Sequence, residues 1–340
     1  MKKTSNSEIT YIDILKDLNK DKLINILDIY HLKYSKNDKK ELLINLIIDN
    51  LNTIVDYTLA LFQNDEYANL KLIIKKKGKI KVNFNKTLLC FLNVMKRNYL
   101  VIDLEDNTFL MPKELVLLYK AKIKSKETIS LIENNTQEYN LINGYIDTYG
   151  VIDFEYFYNG YSKDYKLNKA QTLDRLNNIS KFYLEFNIFK EKSNIYIASN
   201  LIKSLKDCKK YYKKDKYKYY TNEELINNYT LKCLDKTKSY HKLIKFINRN
   251  YEISKGHIKI INHFVLKPYL NEYQVNKQQA DTILSALIDR YFEFNNDKHK
   301  NKFMVLFINI TNDYPCWLLQ GNIKERKKIW KIKIYFYMLL

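Results

Sequence analysis

The chain has 340 residues, 46% of them apolar, and carries 58 Lys and Arg against 38 Asp and Glu, a net charge of +20. That length corresponds to about two or three domains with a real core, and the charge favours a polyanion, either nucleic acid or an acidic protein. An AT-rich gene enriches Lys, Asn, Ile and Tyr together, however, so the surplus of these residues is weak evidence for binding when taken alone.

Six Gly and three Pro leave little punctuation, so helices dominate and boundaries come from hydrophobic period. The opening MKKTSNSEITYIDILKDL has no apolar stretch of the kind a secretory leader carries, which points to a cytoplasmic protein. Leu23, Ile26, Leu27 and Tyr30 stand at helical spacing, His31 to Ser35 break it, and Leu42, Leu43, Leu46 and Ile47 resume it. Ser35 with Asp38 has the form of a capping box, and Lys36, Lys39 and Lys40 cluster there at the expected second helix start. The stretch LKYSKNDKKELLINLI, Leu32 to Ile47, resembles the SAP or Rho-N-terminal-like helix-extended-helix. That resemblance covers about forty residues of a helix pair expected over 1–56, and it implies nucleic-acid contact through helix-terminal N–H groups and Lys36, Lys39 and Lys40. A two-helix packing or protein-docking element is the alternative.

Two later stretches are similar to each other. LKLIIKKKGKIKV around Gly78 and INGYIDTYGVIDF around Gly150 each end a helix in Gly and continue as an alternating apolar strand. A helical segment and a hairpin follow in both, turning at Glu105 to Asn107 and near Lys190 to Asn194. This order predicts two winged-helix-like units, over 57–125 and 126–207. The first is degenerate, because the eighteen residues between Ile80 and Tyr99 are short for the two helices a full winged helix needs. In the second, Phe154 to Tyr161 and Asn168 to Ile179 form helices. Ala170, Leu173 and Leu176 are expected inward, and Lys169, Thr172 and Arg175 outward toward a DNA groove.

CKKYYKKDKYKYY, residues 208–220, follows neither helical nor strand period and reads as an exposed connector. Its Lys209, Lys210, Lys213 and Lys214 are candidate phosphate contacts, with its tyrosines covering nearby apolar surface. A capping box at Thr221 opens a helical domain over 221–322, followed by a basic-apolar tail at 323–340. The last twelve residues are too short to span a bilayer, which needs about twenty. The fold class is thus mainly α with small β-wings. The whole order resembles a poorly characterised bacterial family whose members often carry N-x-T-R-x-W-x-x-x-G-H-T-P-N near their end, sometimes before a SEC-C zinc knuckle. This chain reads NITNDYPCWLLQGN, keeping Asn309, Thr311, Trp317 and Gly321 but neither H-T-P nor the knuckle.

No Walker A, G-x-S-x-G or H-E-x-x-H motif occurs, and Cys90, Cys208, Cys233 and Cys316 lie too far apart in sequence for a C-x-x-C zinc or redox site. His257 and His263 are six apart and cannot share a helix face as metal ligands. The expectation is a non-enzymatic nucleic-acid-binding regulator, of a mobile element such as a plasmid or phage, with DNA as partner and no cofactor. The alternative is a scaffold or inhibitor that meets an acidic protein or nucleoprotein. A metal-dependent nuclease, built from carboxylates on separate elements, ranks behind both.

Overall fold

The computed structural model describes residues 9–83, 85–212, 216–251, 254–294 and 296–323. Its element order begins with α1 (Tyr11–Asp17), α2 (Lys20–Ile29), α3 (Lys40–Asp49), α4 (Leu51–Leu59) and α5 (Asn64–Lys75). Next come β1 (Lys79–Lys81), α6 (Lys86–Arg97), β2 (Ile102–Asp103), β3 (Thr108–Leu110) and α7 (Lys113–Lys122). The long α8 (Lys126–Tyr149) leads into β4 (Val151–Asp153), α9 (Phe154–Tyr161), α10 (Lys169–Tyr183), β5 (Phe186–Glu191) and β6 (Asn194–Ser199). The remainder is α11 (Leu205–Tyr211), α12 (Asn222–Tyr229), α13 (Lys238–Asn250), α14 (Lys255–Ile261), α15 (Lys267–Val275), α16 (Lys277–Tyr291) and α17 (Asp297–Ile310). The fold is mainly α, with two three-stranded antiparallel sheets of order β1-β3-β2 and β4-β6-β5.

Packing divides the chain into two units, Met1–Tyr139 with Leu173–Leu184, and Asn140–Thr172 with Glu185–Leu340. In the first, the helix pair forms because Leu23, Ile26, Leu27, Leu43, Ile44 and Ile47 make one buried stripe on α2 and α3. Ser35 and Asp38 do not cap α3. Asp38 instead accepts from the Ser35 N–H at 2.8 Å inside a turn, while Lys39 occupies the N-cap without a side-chain bond. Between β1 and β2 there is room for α6 alone, so this first wing-bearing unit has one helix fewer than the second.

In the second unit, α8 ends at Gly150, whose φ of +70° suits a residue without Cβ. A Cβ there would also collide with the ring of Trp317. Trp317 is fully buried and donates its indole N–H to the Asp147 carbonyl at 2.9 Å. Trp317, from the NITNDYPCWLLQGN stretch, therefore closes the end of α8. Asp147 is nearly buried and pairs with Lys267 of α15 at 3.0 Å, while Asn271 donates to its other oxygen at 3.1 Å. Burial holds the Lys267 ammonium below its usual range despite that carboxylate. The helical core beyond is aromatic, with Phe303 and Phe307 of α17 packed in tilted and edge-on contacts against each other, Phe292 and Tyr269. No described helix is long and apolar enough to cross a membrane.

Candidate nucleic-acid interface

The outward face expected of α10 is largely an inward one. Thr172 is fully buried, and the buried stripe continues through Leu176, Ile179 and Phe182 rather than through Ala170, which is exposed, and Leu173, which is half-buried. Arg175 borders that stripe and is held inside the first unit. Its guanidinium pairs with Glu138 of α8 at 2.7 Å, with side chains only 19% and 7% exposed. It also donates to the Ala60 carbonyl at 2.7 Å and to Asn135 Oδ1 at 3.0 Å.

This cluster has a structural purpose that follows from helix geometry. The last carbonyls of α4 have no partners within the helix, and burial without donors would cost free energy. Asn135 Nδ2 reaches the Leu59 and Phe62 carbonyls, Arg175 reaches Ala60, and the Tyr183 hydroxyl reaches Leu61 at 2.9 Å. Four successive carbonyls are thus closed by side chains of α8 and α10. Arg175 cannot serve this role and enter a groove at once, which corrects its assignment and that of Thr172 as reading residues.

The predicted lysines separate into paired and free. Lys169 is exposed but bound to Glu155, and Lys209 binds Glu191 at 2.7 Å, which raises the ammonium above its usual range. Lys40 folds back to the Lys16 carbonyl at the end of α1, at 2.6 Å. Lys210 lies over the Tyr211 ring at 5.3 Å. Lys213 and Lys214 lie outside the described residues. Lys36 and Lys39 are exposed, and no carboxylate pairs with either among the described residues.

The segment expected to be an exposed connector is packed instead. Cys208 and Tyr211 belong to α11 and are buried beside Trp317 and Val151. The Tyr217 ring lies tilted 4.4 Å from that of Tyr156 and edge-on 5.2 Å from that of Tyr149, and its hydroxyl accepts the Asp153 N–H at 3.1 Å. Tyr220 donates to the Gly321 carbonyl at 2.8 Å, and burial pushes its hydroxyl up to about 12. These rings cover apolar surface, as the codon-bias reading requires; Tyr219 alone among the five is largely exposed.

A run of exposed lysines lies elsewhere, in the first unit. Lys75, Lys76, Lys77, Lys79 and Lys81 are all exposed, and no carboxylate pairs with any of them among the described residues. The cause is local. Lys75 ends α5, with Lys76 as its C-cap and Lys77 next, where positive charge complements the helix dipole, and Gly78 turns the chain at φ +87°. β1 is an edge strand in which Ile80 points to the core and Lys79 and Lys81 to solvent. The run KKKGKIK is visible in the sequence, but its value lies in the absence of acidic partners, which depends on the fold.

Among the described residues no three His, Cys, Asp or Glu side chains come together as a metal-ligand group. No family model matches the chain, and no solved structure matches it. It is similar to an uncharacterized protein of Plasmodium falciparum, 27% identical over 247 residues. The similarity covers 72% of this chain and 19% of that protein, so the chain spans less than a quarter of its relative's length.

Proposed function

We propose that this chain is a non-enzymatic, cytoplasmic nucleic-acid-binding regulator that holds duplex DNA by phosphate contacts from its first unit rather than by reading bases. The observation that carries this is the Lys75 to Lys81 segment, five exposed lysines in seven residues with no carboxylate partner among the described residues. Lys36 and Lys39 add free charge in the same unit. Lysine behaves as a point charge on a flexible stem, suited to phosphate and indifferent to sequence. Affinity is then about micromolar or weaker and falls steeply with salt.

The test compares two variants of equal total charge. Lys79→Gln with Lys81→Gln removes two free lysines, and Lys169→Gln with Lys209→Gln removes two paired ones. Fluorescence anisotropy on a labelled duplex at about 50 mM salt should show weakened binding for the first pair and little change for the second. Equal losses would mean that only net charge matters. No binding by the unaltered chain would sink the DNA reading and favour the second one, a protein-interaction scaffold. The burial of Thr172 and Arg175 favours that alternative, because it makes α10 a packing helix.

A further inference from the structure

One cleft of the second unit has a character opposite to the rest of the chain. It has a volume of about 510 Å³ and opens between β4, the start of α9, the β5–β6 hairpin and the residues after α11. Four tyrosines line it in series. Ring centroids are 4.4 Å apart for Tyr156 and Tyr217, 6.3 Å for Tyr217 and Tyr212, and 5.1 Å for Tyr212 and Tyr196. Asp153 and Glu155 also line it, whereas no Lys or Arg does among the described residues, in a chain with 58 of them.

We infer that this cleft is a binding site for a primary alkylammonium group. Aromatic faces attract cations through the ring quadrupole and cover an alkyl stem at the same time. Asp153, with which no lysine or arginine pairs among the described residues, supplies negative charge at one end, and Glu155, whose charge Lys169 balances, adds a further acceptor oxygen. A guanidinium fits less well, because it seeks a free bidentate carboxylate. Here Asp153 Oδ1 already accepts the Tyr156 N–H at 2.8 Å, and Glu155 Oε2 holds Lys169. An ammonium needs three single acceptors spread in space. The remaining carboxylate oxygens and the side-chain carbonyls of Asn159 and Asn194, which also line the cleft, are of that kind. An anionic ligand would meet the Asp153 carboxylate with no Lys or Arg among the described lining residues to compensate it.

The group has two sources, a free polyamine or a lysine side chain of a polypeptide. Calorimetric titration with spermidine, with a blocked Gly-Lys-Gly peptide, and with 1,6-hexanediol as an uncharged control separates them. Binding of spermidine alone assigns the free amine, and binding of the peptide alone or of both assigns the side chain. Glu155→Gln, at an exposed position, should weaken binding about threefold or more, and Tyr212→Leu, which keeps bulk but removes the π face, about three- to thirtyfold. If Tyr212→Leu does not fold, Glu155→Gln decides. Binding of hexanediol or of adenosine monophosphate as tight as that of the amines, no binding of either amine, or amine affinity unchanged in Glu155→Gln would overturn the assignment.

Discussion

Replacing Arg175 by Met separates a structural arginine from a groove-reading one. The guanidinium makes three contacts with Glu138, at 2.7, 3.0 and 3.2 Å, besides its bonds to Ala60 and Asn135. Glu138 is almost fully buried, so the substitution leaves a carboxylate without its counter-charge and one end carbonyl of α4 without its donor. Breaking a buried pair in this way costs about 3–5 kcal/mol, a large part of the roughly 5–15 kcal/mol that holds a domain folded. Urea unfolding followed by far-ultraviolet circular dichroism should show that loss. The double variant Arg175→Met with Glu138→Leu should recover most of it, because apolar side chains replace a buried pair at little cost. Duplex affinity per folded molecule should stay within about twofold, since a positioning role makes no phosphate or base contact. A stability change below about 1 kcal/mol together with a tenfold or greater loss of DNA affinity would refute the reasoning and restore Arg175 as a reader.

Four further outcomes follow from the second unit and from the thiols and tyrosine hydroxyls. Lys267→Met should destabilise by about 3–5 kcal/mol by stranding Asp147, measured by thermal or urea melts. Gly150→Ala should cost at least about 2 kcal/mol, since it combines a left-handed φ with collision against Trp317, and its melting temperature should fall accordingly. Cys208 and Cys233 are pushed by burial from 9.0 to about 12, and Tyr57 and Tyr220 from 10.0 to about 12. Their contribution is complete below pH 9 and is lost as pH climbs toward about 12, so the melting temperature should fall through that window and not between pH 7 and 8.5. At pH 8 the exposed Cys90 should react with a thiol reagent well ahead of Cys208 and Cys316.

The elements were legible in the sequence where burial follows local period. Leu23, Ile26 and Leu27 are fully buried, α9 begins and ends at Phe154 and Tyr161, and Thr221 closes its capping box with Glu224. The face of α10 was not legible, because Thr172 and Arg175 are polar by type. Arg175 is turned inward by Glu138 of α8 and by the Ala60 carbonyl, 115 residues away in sequence. Nor could charge be sorted by type. Lys169 and Lys209 read like Lys79 and Lys81 in the sequence, and only the fold supplies Glu155 and Glu191 to the first pair. The tyrosines of CKKYYKKDKYKYY lacked a period because each meets a different element: α11 carries Tyr211, while Tyr217 lies against Tyr149 of α8 and Tyr156 of α9.

The salt dependence of duplex binding tests the central claim most directly. Each lysine–phosphate contact contributes about −0.9 to the slope of log K against log salt. The unaltered chain should therefore give a slope of about −4 or steeper between about 50 and 200 mM salt. Changing Lys75, Lys76, Lys77, Lys79 and Lys81 together to Gln should flatten that slope by up to about 4 while leaving the helical circular dichroism intact. A slope unchanged by the five substitutions, or no binding by the unaltered chain at about 50 mM salt, would contradict the account.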